Sequence, residues 1–149
     1  MQPSQGNNTD AHNVDLATFY VRGSAYGIDL LKIQEINKLL ALTPVPGAPS
    51  YVRGILNLRG RIITVIDLGY KLGLPETGLS AEGRNIIVRS GGEHIGLLVE
   101  QISEVIRIDI DDVEAPPSNM NGIPGDFFHG VIKTADLLIG ILDMERVLE

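Results

Sequence analysis

Short runs of alternating hydrophobic and polar residues dominate the chain and predict β-strands more often than helices. The segment Ser103–Ile110 places apolar residues at 106, 108 and 110 and charged residues at 107 and 109, which is the period of a half-buried strand. Apolar runs also flank turn signals such as Gly23-Ser24, Arg59-Gly60 and Ser90-Gly91-Gly92, and each of these arrangements predicts an antiparallel hairpin. The pattern therefore favours a mainly-β fold.

Other segments depart from simple alternation. Leu31–Leu40 has apolar residues at 33, 36, 39 and 40, a spacing compatible with a helical turn or with a bent strand. Thr43–Pro49 contains three prolines, which lack a backbone N–H and predict an extended connection instead of a central strand. Asp67 and Asp143 each precede a short apolar segment, and we expect them to cap two short helices.

The second half of the chain repeats the first. Tyr20-Val21-Arg22 matches Ile87-Val88-Arg89, and, after a change of offset, Gly54-Ile55-Leu56 matches Gly130-Val131-Ile132 and Asp67 matches Asp143. Each copy has about 60 residues, too few to enclose a large core alone. The repeat therefore predicts two small β-barrels packed side by side in one domain. We expect a disordered tail at 1–14, a first barrel at about 15–75 and a second at about 84–149, with exchange of strands between them left open.

Charge and composition narrow the possible functions. The 149 residues carry a net charge of −7, which argues against binding to nucleic acid. The chain has no cysteine, which excludes disulfides, thiolate metal sites and cysteine nucleophiles. The N-terminal segment lacks the basic residues and apolar run of a signal peptide, and no apolar stretch approaches the roughly 20 residues that span a bilayer. We therefore expect a cytoplasmic protein without direct membrane insertion.

Candidate catalytic and metal-binding residues do not form a recognisable site. His12, His94 and His129 lack metal-ligand spacing. The acidic cluster from Asp109 to Glu114 places Glu114 where a calcium-binding loop requires glycine, so we interpret it as a solvated strand end. No nucleophile or phosphate-binding motif is present. The sequence thus predicts no catalytic residues, no metal and no cofactor, and a small-ligand or metal sensor remains the less favoured alternative.

The turn Asn57–Arg61 is the strongest candidate for a contact with another protein. It is basic and contains glycine, whereas its counterpart in the second copy, Lys133–Leu137, is not, so the fold itself does not require this sequence. Arginine can pair with a carboxylate while its stem covers apolar surface. Arg59 either pairs within the chain, with Glu35 or Asp67, or contacts a partner, and one residue can do both.

Two strings that contain these residues resemble the CheW family of bacterial chemotaxis coupling proteins. The first is Gly27-Ile28 followed by Ile33-Gln34-Glu35-Ile36, and the second runs from Gly54 through Asn57-Leu58-Arg59-Gly60 to Asp67-Leu68. The resemblance extends from about Leu16 to the end of the chain. It implies two intertwined five-stranded SH3-like β-barrels with short helices.

The resemblance also implies a function and partners. It predicts a non-enzymatic adaptor that couples the cytoplasmic tip of methyl-accepting chemotaxis receptors to the regulatory domain of the histidine kinase CheA, in receptor arrays at the inner membrane. A similar adaptor in an array that controls pili or gene expression is the alternative. The resemblance does not identify the kinase-binding residues. The residues expected to bind the receptor, in a groove between the barrels with an apolar lining such as Ile33 and Ile36, are Ile33, Glu35, Ile36, Gly54, Asn57, Arg59 and Gly60.

Overall fold

Two five-stranded β-sheets account for most of the computed structural model, which describes residues 12–78 and 80–149. Sheet 1 consists of β1 (Asn13–Val21), β2 (Ser24–Asp29), β8 (Gln101–Asp109), β11 (Phe128–Lys133) and β12 (Leu138–Leu142), in the order β11-β12-β2-β1-β8. Sheet 2 consists of β3 (Ile33–Lys38), β4 (Val52–Leu58), β5 (Arg61–Asp67), β6 (Arg84–Ser90) and β7 (Glu93–Val99), in the order β3-β6-β7-β5-β4. This architecture confirms the mainly-β prediction.

Short elements connect and cap the sheets. Helices α1 (Leu68–Lys71) and α2 (Met144–Val147) begin after Asp67 and Asp143, whose side chains accept hydrogen bonds from backbone N–H groups of the first turn. Single 3₁₀ turns lie at Leu30–Lys32, Ile110–Asp112 and Gly125–Phe127. The ambiguous segment 31–40 therefore forms the end of a 3₁₀ turn followed by strand β3, which resolves the choice between a helical turn and a strand.

Two segments differ in detail from the sequence-based expectation. The stretch 113–126 has three prolines and two glycines, a composition that predicts a long loop, but it contains a small hairpin of β9 (Asn119–Met120) and β10 (Ile123–Pro124). Asn13 and Val14, assigned to the expected tail 1–14, belong to β1 and pair with Asp109 and Ile108 of β8. Residues 1–11 of that segment lie outside the described residues.

The internal repeat is visible in the topology. Strands β1, β2, β3, β4 and β5 of the first copy correspond to β6, β7, β8, β11 and β12 of the second. Sheet 1 contains the hairpin β1-β2 of the first copy and three strands of the second copy. Sheet 2 contains the hairpin β6-β7 of the second copy and three strands of the first copy. The two sheets therefore have the same strand order with the copies interchanged. Parallel pairing joins the copies at equivalent places, β5 with β7 and β12 with β2. Each sheet therefore contains strands from both 15–75 and 84–149, which is the exchange of strands that the sequence analysis left open.

A core shared by the two sheets holds them together. Phe19, Tyr26 and Ile28 of sheet 1 and Ile86 and Leu97 of sheet 2 belong to one buried cluster. Each sheet also has a smaller cluster of its own, which includes Leu16 and Ile139 in sheet 1 and Leu56, Ile63 and Leu98 in sheet 2. Burial of about 25 cal/mol per Å² of apolar surface makes these clusters the main source of stability.

Candidate functional site

The turn between β4 and β5 holds an arginine in an exposed position. Arg59 has a φ of 54° and Gly60 a φ of 81°, so both residues adopt the left-handed conformation of a tight hairpin turn. The Asn57 side-chain oxygen accepts a hydrogen bond from the Gly60 N–H at 3.0 Å, which fixes the turn. As a result the Arg59 side chain is 71% exposed at the end of sheet 2.

Arg59 forms an ion pair with Glu35 across the ends of sheet 2. Glu35 lies on edge strand β3 and Arg59 follows the opposite edge strand β4, so the pair connects the two edges of the sheet. Asn37 holds the carboxylate in place by donating its side-chain N–H to Glu35 Oε2 at 2.9 Å. Of the two intramolecular partners considered for Arg59, the structure selects Glu35, because Asp67 pairs with Arg53 instead.

A small cavity of about 130 Å³ lies beside this ion pair, and its lining includes Gln34, Arg61 and His94, which the sequence did not place among the receptor-binding residues. Arg61 Nη1 lies 2.7 Å from His94 Nε2, which in turn lies 3.3 Å from Gln34 Oε1. Desolvation, followed by the positive charges of Arg61 and Arg89, lowers the pKa of His94 and favours a neutral imidazole. The site is therefore a polar surface with two exposed arginines and a neutral histidine.

The two isoleucines expected to line an apolar groove lie on the same face of β3. A register shift between Ile33 and Glu35 makes Ile33 pair with Val88 and Ile36 with Ile86. Side chains of directly opposed residues share a face, and Val88 and Ile86 both belong to the core shared by the two sheets. Ile33 packs against that core, whereas Ile36 is 39% exposed at its margin.

Glu35 faces the other side of β3. It is paired with Ile87, which belongs to the cluster of sheet 2 alone. The predicted residues therefore form two groups: an apolar pair on the side of the shared core, and the polar group of Glu35, Asn57, Arg59 and Gly60 at the end of sheet 2.

Gly54 is buried and does not belong to either exposed group. Its φ is 147°, and a Cβ at this position would lie 2.7 Å from the Thr43 carbonyl oxygen. Thr43 crosses β4 at this point and exchanges backbone hydrogen bonds of 2.9 and 2.8 Å with Ile55. The close approach of the two backbones leaves no space for a side chain at position 54, which explains the glycine. Gly54 therefore allows the segment at Thr43 to pair with β4 and is not part of the exposed surface.

An ion pair between the half-buried Arg53 and the fully buried Asp67, which the sequence did not reveal, anchors the far end of the hairpin that carries the Arg59 turn. Asp67 Oδ2 accepts hydrogen bonds of 2.8 Å from Arg53 and from the Thr77 N–H, and Asp67 Oδ1 accepts one of 2.6 Å from the Thr77 hydroxyl. Burial raises the pKa of Asp67, but the hydrogen bonds from Thr77, Arg53 and Tyr70 outweigh this effect and hold the pKa below its usual value. Asp67 is therefore ionised at neutral pH.

The described part of the chain gives no sign of a metal centre or of a membrane span. Among residues 12–78 and 80–149, histidine, aspartate and glutamate side chains do not cluster in a way that could hold a metal ion. Within the same residues, no helix is long and apolar enough to cross a membrane.

Comparisons with known proteins agree with the geometry of the fold. Residues 15–149 match the family model described as a CheW-like domain. The chain is 33% identical to the chemotaxis protein CheW of Treponema pallidum over 136 residues, covering 89% of this chain and 80% of that protein. It is 31% identical to the chemotaxis protein CheW of Bacillus subtilis over 134 residues, covering 90% and 86%. The crystal structure of the scaffolding protein TtCheW from Thermoanaerobacter tengcongensis superimposes with a TM-score of 0.83 at 36% identity, covering 91% of this chain and 88% of that one.

Proposed function

The chain belongs to the CheW family of scaffold proteins, which are not enzymes, and from this premise we propose that it couples methyl-accepting chemotaxis receptors to the histidine kinase CheA. It acts by binding, not by chemistry. One surface contacts the cytoplasmic tip of the receptors, and another contacts the regulatory domain of the kinase. Because both partners occupy one adaptor, each is held at a high effective concentration near the other. The protein therefore works in the cytoplasm, beside receptor arrays at the inner membrane.

The exposed Arg59 with its partner Glu35 is the observation that carries the receptor-binding part of this proposal. The ion pair is solvent-exposed on the arginine side, and exposed pairs contribute only about 0–1 kcal/mol to folding. Stability alone therefore gives little reason to hold an arginine in a left-handed turn at this place. A partner that desolvates the guanidinium and accepts hydrogen bonds from its remaining N–H groups gains much more binding free energy from this arginine.

The receptor-binding surface that we propose has two parts. Arg59, Glu35, Asn57 and Gly60 form the polar part, in which the hydrogen bond from Gly60 to Asn57 sets the position of the turn. Ile36 at the margin of the shared core forms the apolar part. Ile33 and Gly54 act indirectly, since Ile33 packs against the core and Gly54 is buried below β4. A helical receptor tip with an apolar knob and flanking carboxylates complements this combination.

Substitution of Arg59 tests the receptor contact. We expect Arg59→Ala to weaken binding of a receptor tip fragment by about tenfold or more, as for a central arginine of an interface, while the protein still unfolds in one cooperative transition. Arg107→Ala is the matched control, because Arg107 is also exposed and pairs with a carboxylate, Asp15, but on sheet 1. Titration calorimetry measures the affinity, and circular dichroism measures the melting curve.

Exchanging the charges of Arg59 and Glu35 distinguishes a direct receptor contact from an effect on folding. The double variant Arg59→Glu with Glu35→Arg keeps an ion pair between the same two positions but reverses the charge offered to a partner. We expect it to melt like the unmodified protein and to bind the receptor fragment no better than Arg59→Ala. Full receptor affinity in this double variant, or in both Arg59→Ala and Glu35→Ala, would contradict the proposed site.

Coupling requires both partners at once. We expect the protein to co-purify with the kinase regulatory domain and the receptor tip fragment in one complex, and Arg59→Ala to retain the kinase domain while it loses the receptor fragment. Loss of both partners in this variant would show that Arg59 maintains the fold as a whole, and would contradict a receptor-specific role.

A further inference from the structure

The cavity beside the Glu35–Arg59 pair has an apolar floor and a charged rim. The floor is formed by Leu58, Ile63 and Ile87, which all belong to the cluster of sheet 2 or pack against it. The rim is formed by Gln34, Glu35, Arg59, Arg61 and His94. Attraction between opposite charges is stronger where apolar side chains exclude water. A cation at this rim therefore binds an anion more strongly than it would on a flat polar surface.

Arg61 brings a positive charge that the described part of the chain does not neutralise. Among residues 12–78 and 80–149, Glu35 pairs with Arg59, but no carboxylate forms an ion pair with Arg61. Two arginines, one glutamate and a neutral His94 give the rim a net charge of +1. A single carboxylate from another protein would neutralise this charge.

His94 gives the Arg61 side chain a defined position. A guanidinium only donates hydrogen bonds, so the 2.7 Å contact makes His94 Nε2 the acceptor and leaves the ring proton on Nδ1. Desolvation and the charges of Arg61 and Arg89, which lower the pKa of His94, keep the ring neutral and able to accept at neutral pH. An arginine that is oriented before it binds loses less conformational entropy on binding.

The internal repeat shows that the fold does not require this arrangement. At the equivalent end of sheet 1, Leu137 occupies the position of Arg61 and Ala25 occupies the position of His94. Sheet 1 therefore has the same strand order without either the guanidinium or the imidazole that holds it. The pair of Arg61 and His94 is particular to sheet 2, where the exposed Arg59 also lies.

We propose that Arg61 is a second cation of the receptor-binding surface and binds a carboxylate of the receptor tip, and that His94 is a positioning residue that orients Arg61. This inference rests on the receptor contact proposed above for Arg59. The charge of Arg59 is already offset by Glu35, whereas Arg61 has no counter-charge in the described chain, so Arg61 is the stronger site for the incoming carboxylate.

Titration calorimetry with the receptor tip fragment tests the role of Arg61. We expect Arg61→Leu to weaken binding by about tenfold, the loss of a hydrogen bond between charged groups. Arg61→Glu should weaken binding further, because like charges repel. Arg89→Leu is the matched control, since Arg89 is also exposed and lies opposite His94 on β6 but does not line the cavity. It should leave the affinity nearly unchanged, and all three variants should melt like the unmodified protein.

A double-mutant cycle tests the positioning role of His94. We expect His94→Leu to weaken receptor binding by about threefold, and His94→Gln to restore it, because the glutamine side-chain oxygen also accepts a hydrogen bond from a guanidinium. In the Arg61→Leu background, His94→Leu should have no further effect, since a positioning residue acts only through the residue that it orients. Nitrogen-15 NMR of the unmodified protein should find the ring proton of His94 on Nδ1 at neutral pH.

The results that overturn this inference differ from those that overturn the Arg59 contact. Unchanged affinity in Arg61→Leu, together with weakened binding in Arg59→Ala, would overturn the role of Arg61 alone, whereas unchanged affinity in both would contradict the whole receptor surface. Equal losses in Arg61→Leu and Arg89→Leu, or loss of the kinase regulatory domain instead of the receptor fragment, would also overturn the role of Arg61. Equal effects of His94→Leu in both backgrounds, or a ring proton on Nε2, would overturn the positioning role.

Discussion

At the scale of single residues, the two capping aspartates show how surroundings change the role of the same side chain. Asp67 and Asp143 occupy equivalent positions of the repeat and cap α1 and α2. Each also faces a basic side chain from an equivalent position, Arg53 in the first copy and His129 in the second. Arg53 lies 2.8 Å from the fully buried Asp67, whereas His129 lies 3.7 Å from Asp143, which is 31% exposed. Only the first pair is embedded in the protein.

This difference predicts unequal costs for the same substitution. We expect Asp67→Ala to lower the free energy of unfolding by about 3 kcal/mol. The substitution leaves Arg53 with only the exposed Glu76, at 3.9 Å, as a counter-charge and leaves Thr77 without its acceptor. Asp143→Ala removes a more exposed cap and should cost about 1 kcal/mol. Urea denaturation measures both values. Equal losses would show that capping, and not the buried ion pair, dominates at Asp67.

The same residue makes the stability of the protein depend on acid. The pKa of Asp67 in the folded protein is below the ordinary value of 3.8, so the unfolded chain binds protons more readily. The contribution of Asp67 is therefore fully present above that ordinary value and is lost as the pH falls through the lower pKa of the folded state. We expect the free energy of unfolding to fall less steeply with acid in Asp67→Asn than in the unmodified protein, as measured by urea denaturation between about pH 6 and pH 3. A matched slope in the two proteins would exclude Asp67 as a source of the acid dependence.

At the scale of elements, both copies of the repeat have a connecting segment that crosses a strand next to a glycine. Thr43 bridges Ile55 beside Gly54, and Glu114 bridges Val131 beside Gly130. A Cβ at Gly54 would lie 2.7 Å from the Thr43 oxygen, and one at Gly130 would lie 2.6 Å from the Glu114 oxygen. The matched glycines of the sequence therefore mark one structural device used twice.

Alanine at these glycines should destabilise both copies. We expect Gly54→Ala and Gly130→Ala each to lower the melting temperature by several degrees, which corresponds to a loss of about 2 kcal/mol or more from collision with a backbone carbonyl. Gly23→Ala is the control, since Gly23 has a φ of 79° but no described atom within 4 Å of a Cβ. Its cost is limited to backbone strain of about 1 kcal/mol. Equal melting temperatures for Gly54→Ala and Gly23→Ala would rule out the steric role.

The sequence predicted elements better than it predicted their arrangement. Alternation, turn residues and capping aspartates are local signals, and the hairpins around Arg59-Gly60 and Gly91-Gly92 form where these signals place them. The pairing of Glu35 with Arg59 was one of two options, because sequence does not show which carboxylate lies at the same end of a sheet. The Arg53–Asp67–Thr77 network depends on contacts between distant segments, and neither composition nor periodicity carries any trace of it.

At the scale of the whole molecule, the sequence divides unevenly in charge: residues 15–73 carry seven basic and four acidic residues, and residues 74–149 carry five basic and fourteen acidic residues. A smaller difference of the same kind is found between the two sheets. The strands of sheet 1 carry four acidic and two basic residues, whereas the strands of sheet 2 carry three acidic and five basic residues. The difference is smaller than between the halves of the sequence, because the connections hold much of the acidic charge. Sheet 2 presents Arg59 and Arg61, and its basic character suits a partner with exposed carboxylates.

Strand exchange also predicts that neither half of the chain folds alone. A cut in the connection between α1 and β6 would leave sheet 1 without β8, β11 and β12 in one fragment, and sheet 2 without β3, β4 and β5 in the other. Each fragment would also expose its part of the shared core, at about 25 cal/mol per Å² of apolar surface. We therefore expect fragments 1–79 and 80–149 to be unfolded by circular dichroism when separate and to recover the β-sheet spectrum when mixed. The intact chain should then unfold in a single transition, with the same midpoint by fluorescence and by circular dichroism. A cooperative melt of either isolated fragment would show that one copy suffices to build a sheet, and would contradict the dependence of each sheet on both copies.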